Sequence, residues 1–338
     1  MRALVLKDFG DLVVAERETP VAGPGQVLLR TLSTGICGSD LHGYTGANGR
    51  RVPGQVMGHE TVGRVAAVGD GVDLPEGLLA TVNPVISCGV CPACAAGTEQ
   101  LCATKRVIGV DPAISAAFAE YVAVPAANLV PLPESMPEAY GALIEPLAVG
   151  YHAATRGAVT AADTVLVIGG GPIGQAVVLA ARRMGAERIL VSEPNAGRRR
   201  LCESLGAEVV DPAAGALPDQ VRERLGGPAT VAFDAVGVSA TIADALAATS
   251  LGARVVLVGM GAPIVELGAF AISTAERSLI GTFSYPAAEF RAAAEWVAEA
   301  PAELDRLIEK QVALEEAPAA FAQLAQDLGI AGKVLVRC

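Results

Sequence analysis

The 338-residue sequence has little basic charge, few histidines and no long uninterrupted apolar run. It carries 25 Lys and Arg against 36 Asp and Glu, a net charge of −11, and its only basic run is residues 198–200. Because a phosphate backbone is bound by clustered Lys and Arg, nucleic acid is not expected as a partner. The longest apolar stretch, residues 165–181, is broken by a Gly-Gly-Gly-Pro turn and by Gln175. It therefore predicts a buried strand, turn and helix rather than a membrane span.

Other features absent from the sequence narrow the class of protein. Only 18% of the residues are charged and 52% are hydrophobic, which argues against disorder. The start of the sequence, MRALVLKDFG, lacks the basic residues and apolar stretch of a secretory signal, so we expect a cytoplasmic protein. The length is sufficient for two domains.

Four of the seven cysteines lie close together in the segment CGVCPACAAGTEQLC. They are spaced C-x2-C-x2-C-x7-C and are Cys88, Cys91, Cys94 and Cys102. Four thiolates at this spacing can surround one tetrahedral Zn²⁺ at roughly 2.3 Å each. Such a closed site has no open coordination position, so it predicts a structural role. A pair of disulfides is the alternative, although nothing in the sequence indicates an oxidising compartment.

The pattern of the chain changes near residue 164. Before it, short β-type runs separated by turn residues, such as 26–32 and 61–68, predict a mainly β domain. After it, strands at 164–168, 188–192, 208–210, 231–235 and 254–258 alternate with helices. This alternation predicts a doubly wound parallel sheet. Helices at 289–298 and 317–327 and a last strand at 333–336 follow, and that strand is expected to return to the first domain.

The segment VLVIGGGPIG contains G-x-G-x-x-G between a predicted strand and a predicted helix. This context is typical of a dinucleotide site, because the glycines allow a tight turn and the helix N-terminus attracts a pyrophosphate. Glu193 ends the next strand, where a carboxylate can bind both ribose hydroxyls and repel a 2′-phosphate. NAD is therefore expected rather than NADP, although Arg198 could support a phosphate. The candidate cofactor-binding residues are Gly169, Gly171, Pro172, Ile173, Gly174, Glu193 and Arg198.

A second group of candidate metal ligands is more widely spaced. Only three histidines are present, and His59 lies beside Glu60 in VMGHET, 22 residues after Cys37. Glu145, in EPLAVGYHA, is a further candidate carboxylate. A thiolate, an imidazole and a carboxylate, with one position left for substrate, would form a catalytic zinc site. Spacing alone does not distinguish such a site from a buried thiol and a packed histidine.

Taken together, these motifs resemble the zinc-containing medium-chain alcohol dehydrogenase superfamily. The GHE triplet, the preceding cysteine, the four-cysteine lobe and the G-x-GPIG turn occur in that family's order. CGSDLHGY and EPLAVGYHA resemble its sorbitol (polyol), butanediol and threonine dehydrogenase branch. The resemblance implies an α/β protein with a GroES-like, mainly β catalytic domain (residues 1–147 and 286–338), including a zinc lobe at about 85–105. A Rossmann NAD-binding domain with a parallel sheet would occupy residues 148–285.

The resemblance also implies a role for individual residues. Cys37 and His59 would hold a catalytic zinc, with Glu60 as a constant or alternating ligand and Glu145 as a ligand or water-holder. Ser39 and His42 would relay a proton, and Asp40 would orient the zinc-bound imidazole. The lobe cysteines would hold a second, structural zinc, giving two per chain. A homotetramer is expected, with a dimer as the runner-up.

The implied reaction is hydride transfer between NAD(H) and a secondary alcohol of the polyol, diol or cyclitol kind. One segment departs from the sorbitol dehydrogenase pattern, because GTFSY has Ser284 where those enzymes have an arginine near the substrate hydroxyls. This departure leaves smaller diols, cyclitols, aminocyclitols and amino alcohols open as substrates. A threonine-type amino-alcohol dehydrogenase is an alternative. A zinc-stabilised dinucleotide-binding protein without turnover is another, but the complete set of candidate ligands argues against it.

Overall fold

The computed structural model describes residues 1–47, 49–114, 116–326 and 329–338. It divides into two compact units, one formed by Met1–Glu145 with Tyr285–Cys338 and the other by Pro146–Ser284. Within the described residues, no helix is both long and apolar enough to cross a membrane.

The elements follow one another in chain order. Those of the first part are β1 (Arg2–Asp8), β2 (Asp11–Glu16), β3 (Gln26–Gly35), α1 (Gly38–Tyr44), β4 (Glu60–Val68), β5 (Leu79–Val82), β6 (Val85–Ile86), α2 (Pro92–Ala95), β7 (Arg106–Val107), β8 (Tyr121–Pro125), β9 (Leu129–Pro131) and α3 (Ile144–Arg156). Those of the middle part are β10 (Thr164–Ile168), α4 (Pro172–Arg183), β11 (Arg188–Ser192), α5 (Ala196–Ser204), β12 (Glu208–Val210), α6 (Leu217–Leu225), β13 (Ala229–Asp234), α7 (Ser239–Ala248), β14 (Thr249–Leu257), α8 (Ala269–Ser273) and β15 (Ser278–Gly281). Those of the last part are α9 (Ala287–Ala298), α10 (Leu304–Leu307), β16 (Ile308–Ala313), α11 (Ala317–Ala325) and β17 (Lys333–Arg337).

The first unit is mainly β, as predicted, and is built around β3. Strands β4, β8 and β17 all pair antiparallel with β3, so the last strand does return to the first domain. The register places Gly35, at the end of β3, opposite both Glu60 of β4 and Leu335 of β17. Residues far apart in sequence therefore meet at this end of the sheet. One apolar core includes Leu4, Met57, Phe118 and Phe321, all almost fully buried.

The second unit contains the predicted doubly wound sheet. Its six strands are all parallel, in the order β12-β11-β10-β13-β14-β15. Every residue of the central strand β10 is buried, which is typical of parallel strands covered by helices on both faces. Predicted strands 164–168, 188–192 and 208–210 agree with the structure to the residue.

The sequence analysis was less accurate at the ends of other elements. The last helix, predicted over 317–327, ends at Ala325, and Asp327 lies outside the described residues. Strand β14 begins five residues before the predicted 254, at Thr249. Its first residues, around a glycine at 252, lack the apolar run on which the prediction depended.

Candidate metal and dinucleotide sites

The four lobe cysteines converge on one point. Their sulfur atoms all lie within 4.8 Å of one another. The Cys94 sulfur is 3.9 Å from that of Cys88 and 3.5 Å from that of Cys91. A tetrahedral zinc with 2.3 Å bonds would separate its sulfurs by about 3.8 Å. All seven cysteines are free thiols, so the disulfide alternative finds no support in the structure.

Local backbone geometry explains this convergence. Gly89 and Gly97 adopt φ values of +74° and +70°, which side chains rarely tolerate, and so reverse the chain on either side of α2. Cys91 caps that short helix and Pro92 begins it. A hydrogen bond from Thr104 is the main cause that lowers the pKa of Cys102 to about 6. A thiol that deprotonates this readily is suited to binding metal.

A second cluster brings together Cys37, His59 and Glu60, whose potential ligand atoms also lie within 4.8 Å of one another. Cys37 caps the N-terminus of α1, and Glu60 begins β4 directly after His59. His59 and Glu60 are buried, whereas Cys37 is half-buried. Sulfur, nitrogen and oxygen donors therefore lie together at one partly accessible place, and this donor set suits a catalytic zinc.

Unpartnered polar atoms are concentrated around this second cluster. Among the described residues, eight buried side-chain nitrogen or oxygen atoms lack a hydrogen-bond partner, and five of them belong to Asp40, Arg51, His59 and Glu60. Glu60 Oε2 is one of the five, and it lies against Gly35, where an added Cβ would be only 2.1 Å away. A buried carboxylate oxygen with no partner is costly unless something binds it. The residues therefore fit a metal ion.

Asp40 lies next to two of the candidate ligands. Its Oδ1 is 3.5 Å from His59 Nδ1, and its Oδ2 accepts a hydrogen bond from the Cys37 backbone N–H at 3.2 Å. Burial alone would raise the pKa of Asp40, but the charges of His59 and Arg51 outweigh it and hold the pKa below its usual value. An ionised Asp40 can orient the imidazole.

Lys333 is a functional neighbour that the sequence analysis missed. Its Nζ donates to Glu60 Oε1 at 2.7 Å, and both side chains are almost fully buried. The pair is 273 positions apart in sequence, so no local pattern could reveal it. The only signal is a lysine that opens an otherwise apolar strand, KVLVR.

Glu145 lies outside the Cys37 cluster but is also buried. It lies in the first turn of the helix α3, and its Oε1 accepts a hydrogen bond from the Tyr285 hydroxyl at 2.8 Å. Burial is the main cause that raises the pKa of Glu145 to about 7. Tyr285 is a second neighbour that the sequence analysis missed, although it belongs to the GTFSY segment that was singled out.

Ser39 and His42, the candidate relay residues, lie on α1 three positions apart, which places them on one face of that helix. Both are half-buried. Ser39 follows the cap Cys37 by two positions, and His42, in the last turn of the helix, is partly open to solvent.

The glycine turn of the second unit has the form expected for a dinucleotide site. Gly169 has φ +95°, and an added Cβ on Gly174 would lie 1.9 Å from the Gly169 carbonyl oxygen. Helix α4 begins at Pro172, directly after its cap Gly171. The free N–H groups of its first turn, to which Ile173 also belongs, are available to an anion.

Glu193 connects this turn to the next strand. Its carboxylate accepts hydrogen bonds from the backbone N–H groups of Gly170 at 2.7 Å and Asn195 at 2.8 Å. The residue is only 3% exposed. Each oxygen keeps a further lone pair, so the carboxylate is fixed in place but still able to accept. Arg198 follows on α5, where it is half-buried.

Comparison with known proteins identifies the family. Residues 23–134 match the alcohol dehydrogenase GroES-like domain, and residues 172–299 match the zinc-binding dehydrogenase family. A 2-dehydro-3-deoxy-L-galactonate 5-dehydrogenase of Pseudoalteromonas atlantica is 35% identical over 93% of this chain and 92% of its own. The chain belongs to the zinc-containing medium-chain alcohol dehydrogenase superfamily.

Solved structures of this superfamily agree over the whole chain. A zinc-binding dehydrogenase of Sinorhizobium meliloti, bound to NADP, has 34% identity and a TM-score of 0.91 over 100% of this chain and 99% of that one. The 2R,3R-butanediol dehydrogenase of Bacillus subtilis has 30% identity and a TM-score of 0.89 over the same shares. The GroES-like and Rossmann folds implied by the sequence are thereby confirmed. This medium-chain dehydrogenase interconverts a secondary alcohol and its ketone, and it depends on zinc and a nicotinamide cofactor.

Proposed function

We propose that the chain is an NAD-dependent dehydrogenase of a small polyol, diol or cyclitol, with one catalytic and one structural zinc. The observation that carries this proposal is the convergence of Cys37, His59 and Glu60 within 4.8 Å. Cys37 and His59 are proposed as constant ligands of the catalytic zinc, and the four lobe cysteines as ligands of the structural zinc. A bound zinc would supply Lewis-acid stabilisation of the negative charge that develops on the alcohol oxygen.

The two glutamates are proposed to share the remaining ligand role. Lys333 holds Glu60 Oε1, whereas Glu60 Oε2 has no hydrogen-bond partner in the described part of the chain. Glu145 is held by Tyr285 through one oxygen only. A carboxylate is a harder ligand than a second thiolate and exchanges more easily, which would help substrate replace water.

Ser39 and His42 are proposed to remove the hydroxyl proton. The Ser39 hydroxyl accepts it from the alcohol and passes it toward His42, which is half-exposed and can release it to solvent. A bound nicotinamide would supply the acceptor for the hydride that leaves the carbon bearing the hydroxyl. The alcohol loses one proton and one hydride, and a ketone results.

Glu193 supports NAD as the preferred cofactor. Its carboxylate is fixed by Gly170 and Asn195 beside the glycine turn, where a 2′-phosphate would meet negative charge. Discrimination is tested by titrating the protein with NADH and with NADPH. Tighter binding of NADH supports the proposal, and equal or tighter binding of NADPH contradicts it.

A homotetramer, or failing that a dimer, is the proposed assembly. It is supported by the family resemblance and by exposed apolar residues of the second unit, among them Ile264 and Phe270, each 84% exposed. Light scattering coupled to size exclusion tests the proposal, and a monomer at micromolar concentration contradicts it.

The experiment for the activity is a substrate panel followed by NADH formation. Polyols, small diols, cyclitols, aminocyclitols and 3-hydroxy amino acids are compared for the wild type and for Cys37→Ala and His59→Ala. Turnover of a diol or cyclitol that both variants lose, while still binding NADH, supports the proposal. Turnover confined to the 3-hydroxy amino acids would favour the threonine-type alternative. Near-normal activity in both variants would contradict the zinc site.

A further inference from the structure

Arg51 is a buried cation beside the Cys37 cluster. Its side chain is only 1% exposed, and its Nη2 lies 3.5 Å from Asp40 Oδ1. Guanidinium stays protonated in proteins, so the charge persists in the interior. Taking such an ion out of water is unfavourable unless it is well paired. The burial of this arginine therefore suggests a role beyond packing.

The helix α1 is shaped to admit this arginine. Gly43 lies in the last turn of that helix, where a glycine is less favourable than an alanine. An added Cβ on Gly43 would lie 2.3 Å from Arg51 Cγ and 3.2 Å from Met57 Sδ. The glycine thus leaves room for the aliphatic part of Arg51.

The loop that carries Arg51 is also held in place. Gln55 Oε1 accepts from the Val52 N–H at 3.2 Å, and Gln55 Nε2 donates to the carbonyls of Gly109 and Val110 at 3.3 and 3.2 Å. Gln55 is itself 5% exposed. The aliphatic part of Arg51 is therefore packed against α1, and the loop that carries it is anchored.

Asp40 connects Arg51 to two candidate ligands of the catalytic zinc. Its Oδ1 lies 3.5 Å from both Arg51 Nη2 and His59 Nδ1, and its Oδ2 accepts from the Cys37 N–H. Asp40 Oδ1, Arg51 Nε, Arg51 Nη2 and His59 Nδ1 all lack a hydrogen-bond partner among the described residues. Arg51 Nη2 and His59 Nδ1 thus both face one carboxylate oxygen.

We infer that Arg51 is a positioning residue of the catalytic metal centre. Its guanidinium fixes the Asp40 carboxylate, and Asp40 in turn fixes the ring orientation and tautomer of His59. A metal-bound imidazole depends on such an acceptor at its other nitrogen, and loss of an outer partner commonly weakens metal binding 10–100-fold. This inference rests on the proposed function, since it requires zinc at His59.

The test is zinc retention by the full-length, zinc-loaded enzyme in the presence of a chelator such as dipicolinate. The wild type is compared with Arg51→Met, with the charge-retaining Arg51→Lys, and with Arg64→Met. Arg64 is the matched control, since it lies in the same unit and binds two carboxylates, Glu134 and Glu138, near the surface. The His59→Ala variant shows which phase of zinc release belongs to the catalytic site.

We expect Arg51→Met to release the catalytic zinc about tenfold more readily than the wild type, with no change in the lobe zinc. Arg51→Lys should release the catalytic zinc at a rate between those of the wild type and Arg51→Met. This variant keeps the test informative if Arg51→Met does not fold. Arg64→Met should match the wild type. In an Asp40→Asn background, Arg51→Met should have no further effect, because the arginine acts through Asp40.

Two results would overturn the inference. Unchanged retention of the catalytic zinc in both Arg51 variants would show that the arginine is only a structural counter-ion. If Arg51→Met weakens zinc retention in the Asp40→Asn background as much as in the wild type, Arg51 does not act through Asp40. A wild-type chain that binds only the lobe zinc would instead overturn the proposed catalytic site, and with it this inference.

Discussion

Replacing Lys333 by methionine removes the ammonium group that faces Glu60 in the interior. Nζ and Oε1 are 2.7 Å apart, and the two side chains are 4% and 0% exposed. Burial alone would lower the pKa of Lys333, but Glu60 outweighs it and raises the pKa, so the lysine remains charged. In the zinc-free protein, the variant therefore leaves a buried carboxylate without its counter-ion.

The size of the effect follows from this geometry. At 2.7 Å, with an effective dielectric constant of about 20, two unit charges attract by about 6 kcal/mol. Desolvation of both ions offsets much of this, and removal of one partner of a buried pair typically costs about 3–5 kcal/mol. We expect Lys333→Met to lower the free energy of unfolding by that amount. The double variant Glu60→Gln/Lys333→Met should be more stable than Lys333→Met by about 2 kcal/mol or more, because no buried charge remains.

Urea unfolding of the zinc-free protein, followed by tryptophan fluorescence, measures this change. Trp296 is the only tryptophan, is 4% exposed and lies in the same unit as the ion pair. Lys310→Met is the control, since Lys310 donates to the Gln323 side chain at an exposed site on the neighbouring strand β16. It should change stability by less than about 0.5 kcal/mol. The reasoning is refuted if the unfolding free energy of Lys333→Met lies within about 1 kcal/mol of that of the wild type. It is also refuted if the double variant is no more stable than Lys333→Met.

Four further predictions concern the two metal sites and the cofactor. Glu145 has a folded pKa of about 7, above its unfolded value of about 4.3, so its contribution to stability is full at low pH and is lost as pH rises through 7. In zinc-free protein, Glu145→Gln should therefore reduce the fall of the unfolding free energy with rising pH, measured by urea unfolding. An unchanged dependence on pH would contradict this. Cys94→Ser should bind one zinc fewer and melt at a lower temperature, while each folded chain keeps its turnover. A lower kcat with an unchanged melting temperature would contradict the structural role. Ser39→Ala should lower kcat about 100-fold or more with unchanged zinc content, and unaltered oxidation at neutral pH would exclude the relay. Glu193→Gln should weaken NADH binding about tenfold in a fluorescence titration, and unchanged affinity would show that the carboxylate does not contact the cofactor.

The sequence predicted the parts of the fold and sites that depend on local patterns. The strand at 164–168, the glycine turn and the four-cysteine lobe are each specified by neighbouring residues, and the structure places them as expected. Lys333 could not be assigned to Glu60, because their contact depends on how β17 and β4 flank β3. The partnership of Tyr285 with Glu145 likewise joins segments 140 positions apart.

Asp40 and Arg51 illustrate the same limit at close range. The resemblance assigned Asp40 a role beside the imidazole, but the sequence did not distinguish Arg51 from the adjacent arginine in NGRRVPG. Only burial separates them, since Arg51 is 2% exposed whereas its neighbour Arg50 is exposed. Gly43, which makes room for Arg51, reads in the sequence as an ordinary helix-weakening glycine.

Zinc content per chain, measured for the wild type, His59→Ala and Cys94→Ser, tests the central claim most directly. The account predicts two zincs in the wild type and one in each variant, with NADH formation lost in His59→Ala but retained by folded Cys94→Ser. Two zincs in His59→Ala, or NADH formation at the wild-type rate in that variant, would contradict the assignment of the chemistry to the Cys37 cluster.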